Sequence, residues 1–121
     1  MLDWCDCEGG GELATNQILY NLSRRGVEWD VIPFCRNFSV PVMAYSPLEQ
    51  GRLEEEPILC QIAARHDVTS LQIALAWVLS QQNVVAIPKS VNHEHIDQNI
   101  AALGITLNPE DHAQLDIAFP P

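Results

Sequence analysis

The chain has 121 residues, of which 47% are hydrophobic and 18% are charged, and its formal net charge is -10 at pH 7. This length fits one domain, and the hydrophobic content excludes a disordered or collagen-like chain. A surface this acidic repels phosphate backbones and anionic lipid head groups. We therefore expect no nucleic-acid or membrane partner. No apolar run approaches the roughly 18 residues of a membrane span, and a signal-peptide pattern is absent from the first residues. We therefore expect a cytoplasmic protein.

The first residues differ in composition from the rest of the chain. Residues 1–13 are acidic and Gly-rich and are too polar for a core position, which predicts a flexible leader, followed by one domain over residues 14–121. Cys5 and Cys7 form a C-x-C pair in this leader, but zinc needs two more ligands and no second Cys/His pair is close in sequence. We predict no metal site, and free thiols rather than disulfides.

From residue 14 onward, β-favouring and helical segments alternate. In chain order, the patterns predict a strand at 15–22, a helix at 31–38, a strand at 40–45, helices at 57–66 and 69–79, a strand at 83–88, and helices at 92–104 and 108–119. Thr69 and Gln72 have the spacing of a capping box, and Asn92 and Asn108 are suited to capping the last two helices.

Four bulky or thiol side chains are expected to pack in the interior. Trp77 extends the apolar surface of the helix at 69–79, and we interpret Trp29 in the same way. Cys35 and Cys60 are most simply buried apolar side chains.

Strands that alternate with helices and are nearly continuous apolar runs indicate a parallel sheet covered by helices. The loops after the second and third strands, YSPLEQG and PKSVNHEH, then lie at the carboxyl edge of the sheet, where α/β folds bind ligands. Three strands would leave two open edges and part of an apolar face. We therefore expect an oligomer or a partner chain rather than a free monomer.

Four motifs occur in an order and spacing that resemble one family over residues 14–121. They are ATNQILYNLSRRGVEWDVIPFC, VPVMAYSPLEQGRL, QIALAWVLSQ and VVAIPKSVNHEHIDQNIAAL, and their order is similar to the C-terminal half of an aldo/keto reductase. The resemblance implies a half of a TIM-type (β/α)8 barrel, strands six to eight with their helices. It also implies that the catalytic tyrosine, lysine, aspartate and histidine, which the family carries in the first half, are absent. We therefore predict no catalytic residue in this chain.

The resemblance assigns the nicotinamide and pyrophosphate side of an NADP(H) site. Gln17 matches the residue that hydrogen-bonds the nicotinamide carboxamide, and Tyr45 matches the aromatic on which the nicotinamide ring stacks. Ser46, Leu48 and Gln50 match the loop that follows the pyrophosphate. Gly51 in the same loop has no side chain, which lets the backbone approach the pyrophosphate closely.

The resemblance also assigns the adenosine side. Lys89, Ser90 and Asn92 match the segment that holds the 2′-phosphate of the adenosine ribose, and Asn99 matches the family's adenine contact. The residues themselves point the same way, because a lysine and a serine just before a helix present a cation, a hydroxyl and free backbone N–H groups to an anion.

Two residues of the predicted cofactor site depart from the family pattern. His95 stands where the family usually has an arginine on the 2′-phosphate, and Gln98 stands where it often has a glutamate. Histidine is mostly neutral at pH 7 and cannot form the bidentate fork of arginine. We therefore expect weak binding of NADP(H), with less preference over NAD(H).

Several functions are compatible with this reading of the sequence. The chain is interpreted as a self-associating aldo/keto reductase-like protein that retains a nucleotide site and is inactive alone. A subunit of a split NADPH-dependent carbonyl reductase, completed by a complementary half-barrel chain, is an alternative. So are a non-catalytic oligomeric interaction protein and an unselected gene fragment that folds.

Overall fold

The computed structural model of the chain describes residues 13–121, and it has three parallel strands and five helices. In chain order these are β1 (Asn16–Leu19), α1 (Val31–Asn37), β2 (Val42–Tyr45), α2 (Pro57–His66), α3 (Ser70–Leu79), β3 (Val84–Ala86), α4 (His93–Ala101) and α5 (Pro109–Ala118), with short 3-10 turns at Gly26–Glu28, Glu49–Gly51 and Ala102–Gly104. The predicted α/β class is confirmed. Cys5, Cys7 and most of the predicted leader lie outside the described residues, whereas Leu13 packs against the core.

The three strands form one sheet in the order β1-β2-β3. Gln17 pairs with Met43, and Met43 pairs with Val85, so the register is continuous across the sheet. The strands are shorter than the sequence pattern predicts. Just after β1, Tyr20 lies on the same covered side as Ile18, as strand alternation requires, and is 1% exposed.

Only one face of the sheet is covered by helices. Side chains alternate between the faces of a strand, and the face with Val42 and Ala44 is buried in the core cluster. The opposite face, which we call the open sheet face, carries Gln17, Leu19, Met43, Tyr45, Val85 and, just beyond β3, Ile87. Val85 is 52% exposed. The sheet thus leaves an apolar face and two strand edges without a partner in the described part of the chain.

The helix α3 is the centre of the core. Eight of its ten residues are buried, which is typical of a helix packed on several sides. It begins with the predicted capping box: the Thr69 side chain accepts from the backbone of Gln72, whose side chain accepts from the backbone of Thr69. Asn92 and Asn108 cap α4 and α5 as predicted.

Two of the four interior predictions are wrong. Trp29 is 74% exposed, because it follows a 3-10 turn and precedes α1 rather than lying on a core-facing stripe. Cys60 is exposed on α2, where Leu59 and Ile62 occupy the buried positions instead. Trp77 and Cys35 are buried, as predicted.

None of the helices within residues 13–121 has the length and hydropathy that crossing a membrane requires.

Candidate nucleotide-binding site

A cleft of about 560 Å³ opens at the carboxyl edge of the sheet. Its walls are the loop after β2, the loop after β3, the start of α3 and one side of α4. This is the edge at which the sequence predicted a ligand site, because parallel strands direct their carboxyl ends, and the loops that follow, to the same side.

Seven of the ten predicted cofactor residues line this cleft. Ser46, Leu48 and Gln50 come from the loop after β2. From the β3 side, the lining includes Lys89, Ser90, His95 and Asn99. Three segments that lie up to about fifty residues apart in the sequence therefore contribute to one cavity, whose size falls in the usual range of small-molecule sites.

The other three predicted residues do not line the cleft. Gln17 and Tyr45 lie on the open sheet face, where Tyr45 is 41% exposed and is paired in register with Leu19. Asn92 is the N-cap of α4, and its side-chain oxygen accepts a hydrogen bond from the backbone N–H of Glu94 at 2.8 Å. Its observed role is therefore to begin the helix that carries His95 and Asn99.

The loop after β2 has an unusual backbone. Ser46, Glu49 and Gln50 have positive φ angles of 48°, 46° and 57°, a left-handed conformation that is unfavourable for residues other than glycine. Asn21 stabilises this loop, since its Nδ2 donates to the carbonyl of Ser46 at 2.9 Å and to Glu49 Oε2 at 2.7 Å. The residues with left-handed backbone conformation thus lie in the loop that borders the cleft, and hydrogen bonds from Asn21 hold this loop against the segment after β1.

The carboxylate of Glu49 anchors the same loop electrostatically. Burial alone would raise its pKa, but hydrogen bonds from Asn21 and Arg24 outweigh that effect and hold the pKa of Glu49 below its usual value. Arg24 donates to Glu49 Oε1 from Nη2 at 3.1 Å. Glu49 is therefore ionised at neutral pH and connects the loop after β1 to the cleft wall.

Gln72 joins the two helices that border the cleft. It is 9% exposed, and its Nε2 donates to the backbone carbonyl of Gln98 on α4 at 3.0 Å. Its Oε1 accepts from the backbone N–H of Thr69 at 3.0 Å. The sequence revealed only the capping role of Gln72, because its contact with α4 spans 26 residues and has no local signal.

The lining chemistry suits a phosphorylated nucleotide. Lys89 is the single lysine of the chain, and among residues 13–121 it forms no ion pair with a carboxylate. Ser90 supplies a hydroxyl, and Gln50 and Asn99 supply amides, which can donate to phosphate or base edges. Leu48 and other apolar lining groups offer a surface for a ring. Glu54 also lines the cleft, and its carboxylate would repel an anion there.

The described residues contain no group of three or more histidines, cysteines or acidic residues that could hold a metal ion. Away from the cleft, His66 Nε2 and Arg65 contact the buried carboxylate of Asp111. These contacts join α2 to α5, and no local sequence pattern indicated them, because His66 and Asp111 lie 45 residues apart.

The chain belongs to the aldo/keto reductase family, whose family model matches residues 1–119. It is 43% identical over 130 residues to methylglyoxal reductase YeaE of Escherichia coli (strain K12), and the match covers 98% of this chain and 46% of that protein. It is 30% identical to probable aldo-keto reductase 1 of Glycine max, over 86% of this chain and 39% of that protein. The chain thus spans less than half the length of these relatives.

Solved structures agree with this assignment. An aldo/keto reductase from Klebsiella pneumoniae in complex with NADP and acetate is 43% identical and superposes with a TM-score of 0.95, over 99% of this chain and 44% of that chain. A Klebsiella pneumoniae aldo-keto reductase in complex with NADPH is 47% identical, with a TM-score of 0.86 over 89% of this chain and 40% of that chain. The three strands and their helices therefore match part of the family's (β/α)8 barrel, which confirms the predicted fold class.

Proposed function

We propose that this chain forms the nucleotide-holding side of an aldo/keto reductase barrel and that the cleft binds NADP(H). The observation that carries the proposal is the convergence of residues from the loops after β2 and β3 and from α4 on one cleft. Lys89 and Ser90 would hold the 2′-phosphate, Asn99 would contact the adenine, and the loop of Ser46 would follow the pyrophosphate. The Klebsiella pneumoniae relatives that hold NADP and NADPH support this assignment.

The nicotinamide end would extend from the cleft toward the open sheet face. Tyr45 is half exposed at the end of β2 and offers a ring for stacking, and Gln17 offers a carboxamide on the neighbouring strand. Bound NADPH would supply the hydride. The chain's own residues would orient the cofactor, and a carbonyl substrate would need a proton donor from elsewhere.

Neither tyrosine of the chain is suited to that proton-donor role. Burial and then the hydrogen bond to Glu28 raise the pKa of Tyr20 far above its usual value, and its ring is 1% exposed. Tyr45 is half exposed at the end of β2, and no lysine or aspartate among the described residues is hydrogen-bonded to it. We therefore propose that these 121 residues bind cofactor without reducing carbonyls at an enzyme's rate.

Calorimetric titration with NADP⁺ tests the binding proposal. We expect weak, saturable binding that Lys89→Ala reduces by about tenfold or more, since a charge-assisted contact contributes about 1.5–3 kcal/mol. Arg36→Ala is the matched control, because Arg36 is an exposed cation on α1, away from the cleft. The absence of heat up to about 1 mM NADP⁺ would overturn the proposal, and so would equal losses in the two variants.

We further propose that the open sheet face is covered by a second copy of the chain. Exposed apolar side chains support this, with Val85 at 52% and Tyr45 at 41% exposed on that face. Beside the β3 edge, an apolar groove of about 300 Å³ adds to this surface and is lined by Leu75, Leu79, Ile96, Ile100 and Leu103. The apolar side chains Ile96 and Ile100 of α4 are therefore exposed to solvent in the single chain.

Light scattering over a hundredfold range of about micromolar concentrations measures this association. We expect a mass above that of one chain, which Val85→Asp lowers because a carboxylate on the open sheet face must be desolvated in the interface. Glu55→Asp, at an exposed loop position, is the control. A single-chain mass at every concentration would contradict self-association and leave a complementary half-barrel chain as the partner to test. The free thiols of Cys35 and Cys60 support a cytoplasmic location for either assembly.

A further inference from the structure

Asn21 is a buried polar residue to which no sequence pattern gave a role. It is 0% exposed and lies just after β1, 25 residues before Ser46 and 28 residues before Glu49. Its Nδ2 donates to the Ser46 carbonyl at 2.9 Å and to Glu49 Oε2 at 2.7 Å, and its Oδ1 accepts from the backbone N–H of Ser23 at 2.9 Å. Both acceptors of its Nδ2 thus belong to the loop after β2.

Glu49 holds this loop from outside the cleft. Leu48 and Gln50, its neighbours in the chain, line the cleft, whereas Glu49 itself does not. Its side chain is 13% exposed, and besides Asn21 it has a second donor, Arg24, whose Nη2 lies 3.1 Å from Oε1. The negative charge of Glu49 is therefore paired with Arg24 behind the loop rather than presented in the cleft.

The contacts of Asn21 fall on residues whose backbone is unfavourable by itself. Ser46, Glu49 and Gln50 are left-handed, and a residue other than glycine keeps this conformation only where its surroundings fix it. Asn21 contacts two of these three residues, and the Ser46 carbonyl also accepts from the backbone N–H of Glu49 at 3.0 Å. Without these contacts we expect the loop to populate conformations that do not form the observed cleft wall.

We propose that Asn21 is a positioning residue that holds the loop after β2, through Ser46 and Glu49, in the conformation that binds the pyrophosphate of NADP(H). This inference rests on the proposed function, because that function places the pyrophosphate along this loop. The apparent affinity for a ligand falls with the fraction of molecules whose site is in the binding conformation. Loss of the Asn21 contacts should therefore weaken ligands that reach the loop and spare ligands that occupy only the adenosine side, at Lys89 and Asn99.

Calorimetric titration of the whole chain with NADP⁺ and with adenosine 2′,5′-bisphosphate, which lacks the pyrophosphate bond, tests this selectivity. Asn21→Asp keeps the shape of the side chain and the acceptor for Ser23 but removes the amide donor. We expect the dissociation constant of NADP⁺ to rise about five- to tenfold, and that of the bisphosphate to change less than about twofold. Asn37→Asp is the matched control, because it adds the same charge at an exposed position of α1.

Reversing the pair gives a readout that a general loss of structure would not produce. Asn21→Asp combined with Glu49→Gln places the carboxylate on residue 21 and the amide on residue 49, so that a donor again faces an acceptor. We expect the double variant to bind NADP⁺ at least about threefold more tightly than Asn21→Asp alone. If circular dichroism shows that Asn21→Asp does not fold, Glu49→Ala replaces it, with the same difference expected between the two ligands and Glu55→Ala, at an exposed position, as its control.

Each outcome decides a different question. A selective loss of NADP⁺ affinity in Asn21→Asp that Glu49→Gln partly restores supports the inference. NADP⁺ affinity that is unchanged, that falls equally with the affinity for the bisphosphate, or that the second substitution leaves fully reduced overturns the inference and leaves the proposed function standing. A wild-type chain that binds neither ligand up to about 1 mM overturns the proposed function itself.

Discussion

Gln72 Nε2 donates a hydrogen bond to the backbone carbonyl of Gln98 at 3.0 Å, and this contact connects the beginning of α3 to α4 where both helices line the cleft. The same amide completes the capping box with Thr69. One buried side chain therefore both begins the central helix of the core and fixes the position of the helix that carries His95 and Asn99. Its loss is expected to affect stability and ligand binding together.

Gln72→Ala is predicted to lower the free energy of unfolding by about 1–2 kcal/mol, because it removes the capping interaction with Thr69 and the partly buried hydrogen bond between α3 and α4. It is also predicted to weaken NADP⁺ binding, since α4 loses its tether. Urea unfolding and calorimetry measure the two effects. Gln61→Ala, at an exposed position of α2, should change neither. Unaltered stability in Gln72→Ala would show that the contact carries no net energy.

Arg25 links the segment after β1 to the end of α5. It is 9% exposed, and its Nε and Nη2 donate to Glu28 at 2.8 and 2.9 Å. Its Nη1 donates to Asp116 and to the carbonyl of Phe119, each at 2.7 Å. The guanidinium carbon lies 4.8 Å from the ring centroid of Trp77, within the range of a cation–π contact.

Arg25→Met is predicted to destabilise the fold by about 3 kcal/mol, because it leaves the partly buried Glu28 without its cation and frees the end of α5. Thermal or urea unfolding measures the change. Arg24→Met is the control, since Arg24 is 54% exposed and exposed ion pairs contribute at most about 1 kcal/mol. Equal effects in the two variants would contradict a special role for the buried arginine.

Asp111 is predicted to make stability fall in acid. Its carboxylate is fully buried, which would raise its pKa, but hydrogen bonds from Arg65 and His66 outweigh burial and lower the pKa of Asp111. Asp111 therefore contributes stability that is complete above the unfolded aspartate pKa of about 3.9 and is lost as pH falls through the lower folded value.

Asp111→Asn should be about 2 kcal/mol less stable than the wild type near neutral pH, because the charged hydrogen bonds to Arg65 and His66 are lost. The two proteins should converge in stronger acid, once pH has fallen through the lowered folded pKa of Asp111 and the wild-type carboxyl is also protonated. Urea unfolding across this pH range measures the difference. Asp97→Asn, exposed on α4, should follow the wild-type curve. A constant difference at every pH would exclude titration of Asp111 as its source.

The purified 121-residue chain is predicted to oxidise NADPH with methylglyoxal, the substrate named for its Escherichia coli relative, at no more than the rate of a chain-free control. The reason is that neither Tyr20 nor Tyr45 is placed as a general acid, which ordinarily contributes about 10²–10⁴-fold to rate. Absorbance of NADPH follows the reaction. Turnover that Tyr45→Phe abolishes would show instead that Tyr45 serves as the acid.

Features that depend on neighbouring residues were predictable from the sequence. The capping box of Thr69 and Gln72 and the cap at Asn92 each involve residues two or three positions apart, so their geometry follows from the helix itself. The carboxyl-edge site was predictable because parallel strands align their following loops. The family motifs then assigned the cleft residues, of which Lys89 and His95 are among those that the structure brings together.

What the sequence by itself determined is therefore the α/β order of elements, the helix ends and the loops that border the cleft, since local hydrogen bonding and side-chain periodicity govern all three. Only the tertiary structure decided which side chains meet across long intervals, such as His66 with Asp111, and which apolar residues stay exposed, such as Trp29. The burial of a side chain depends on which distant segments pack against it, and the residues next to it in the sequence do not determine those contacts.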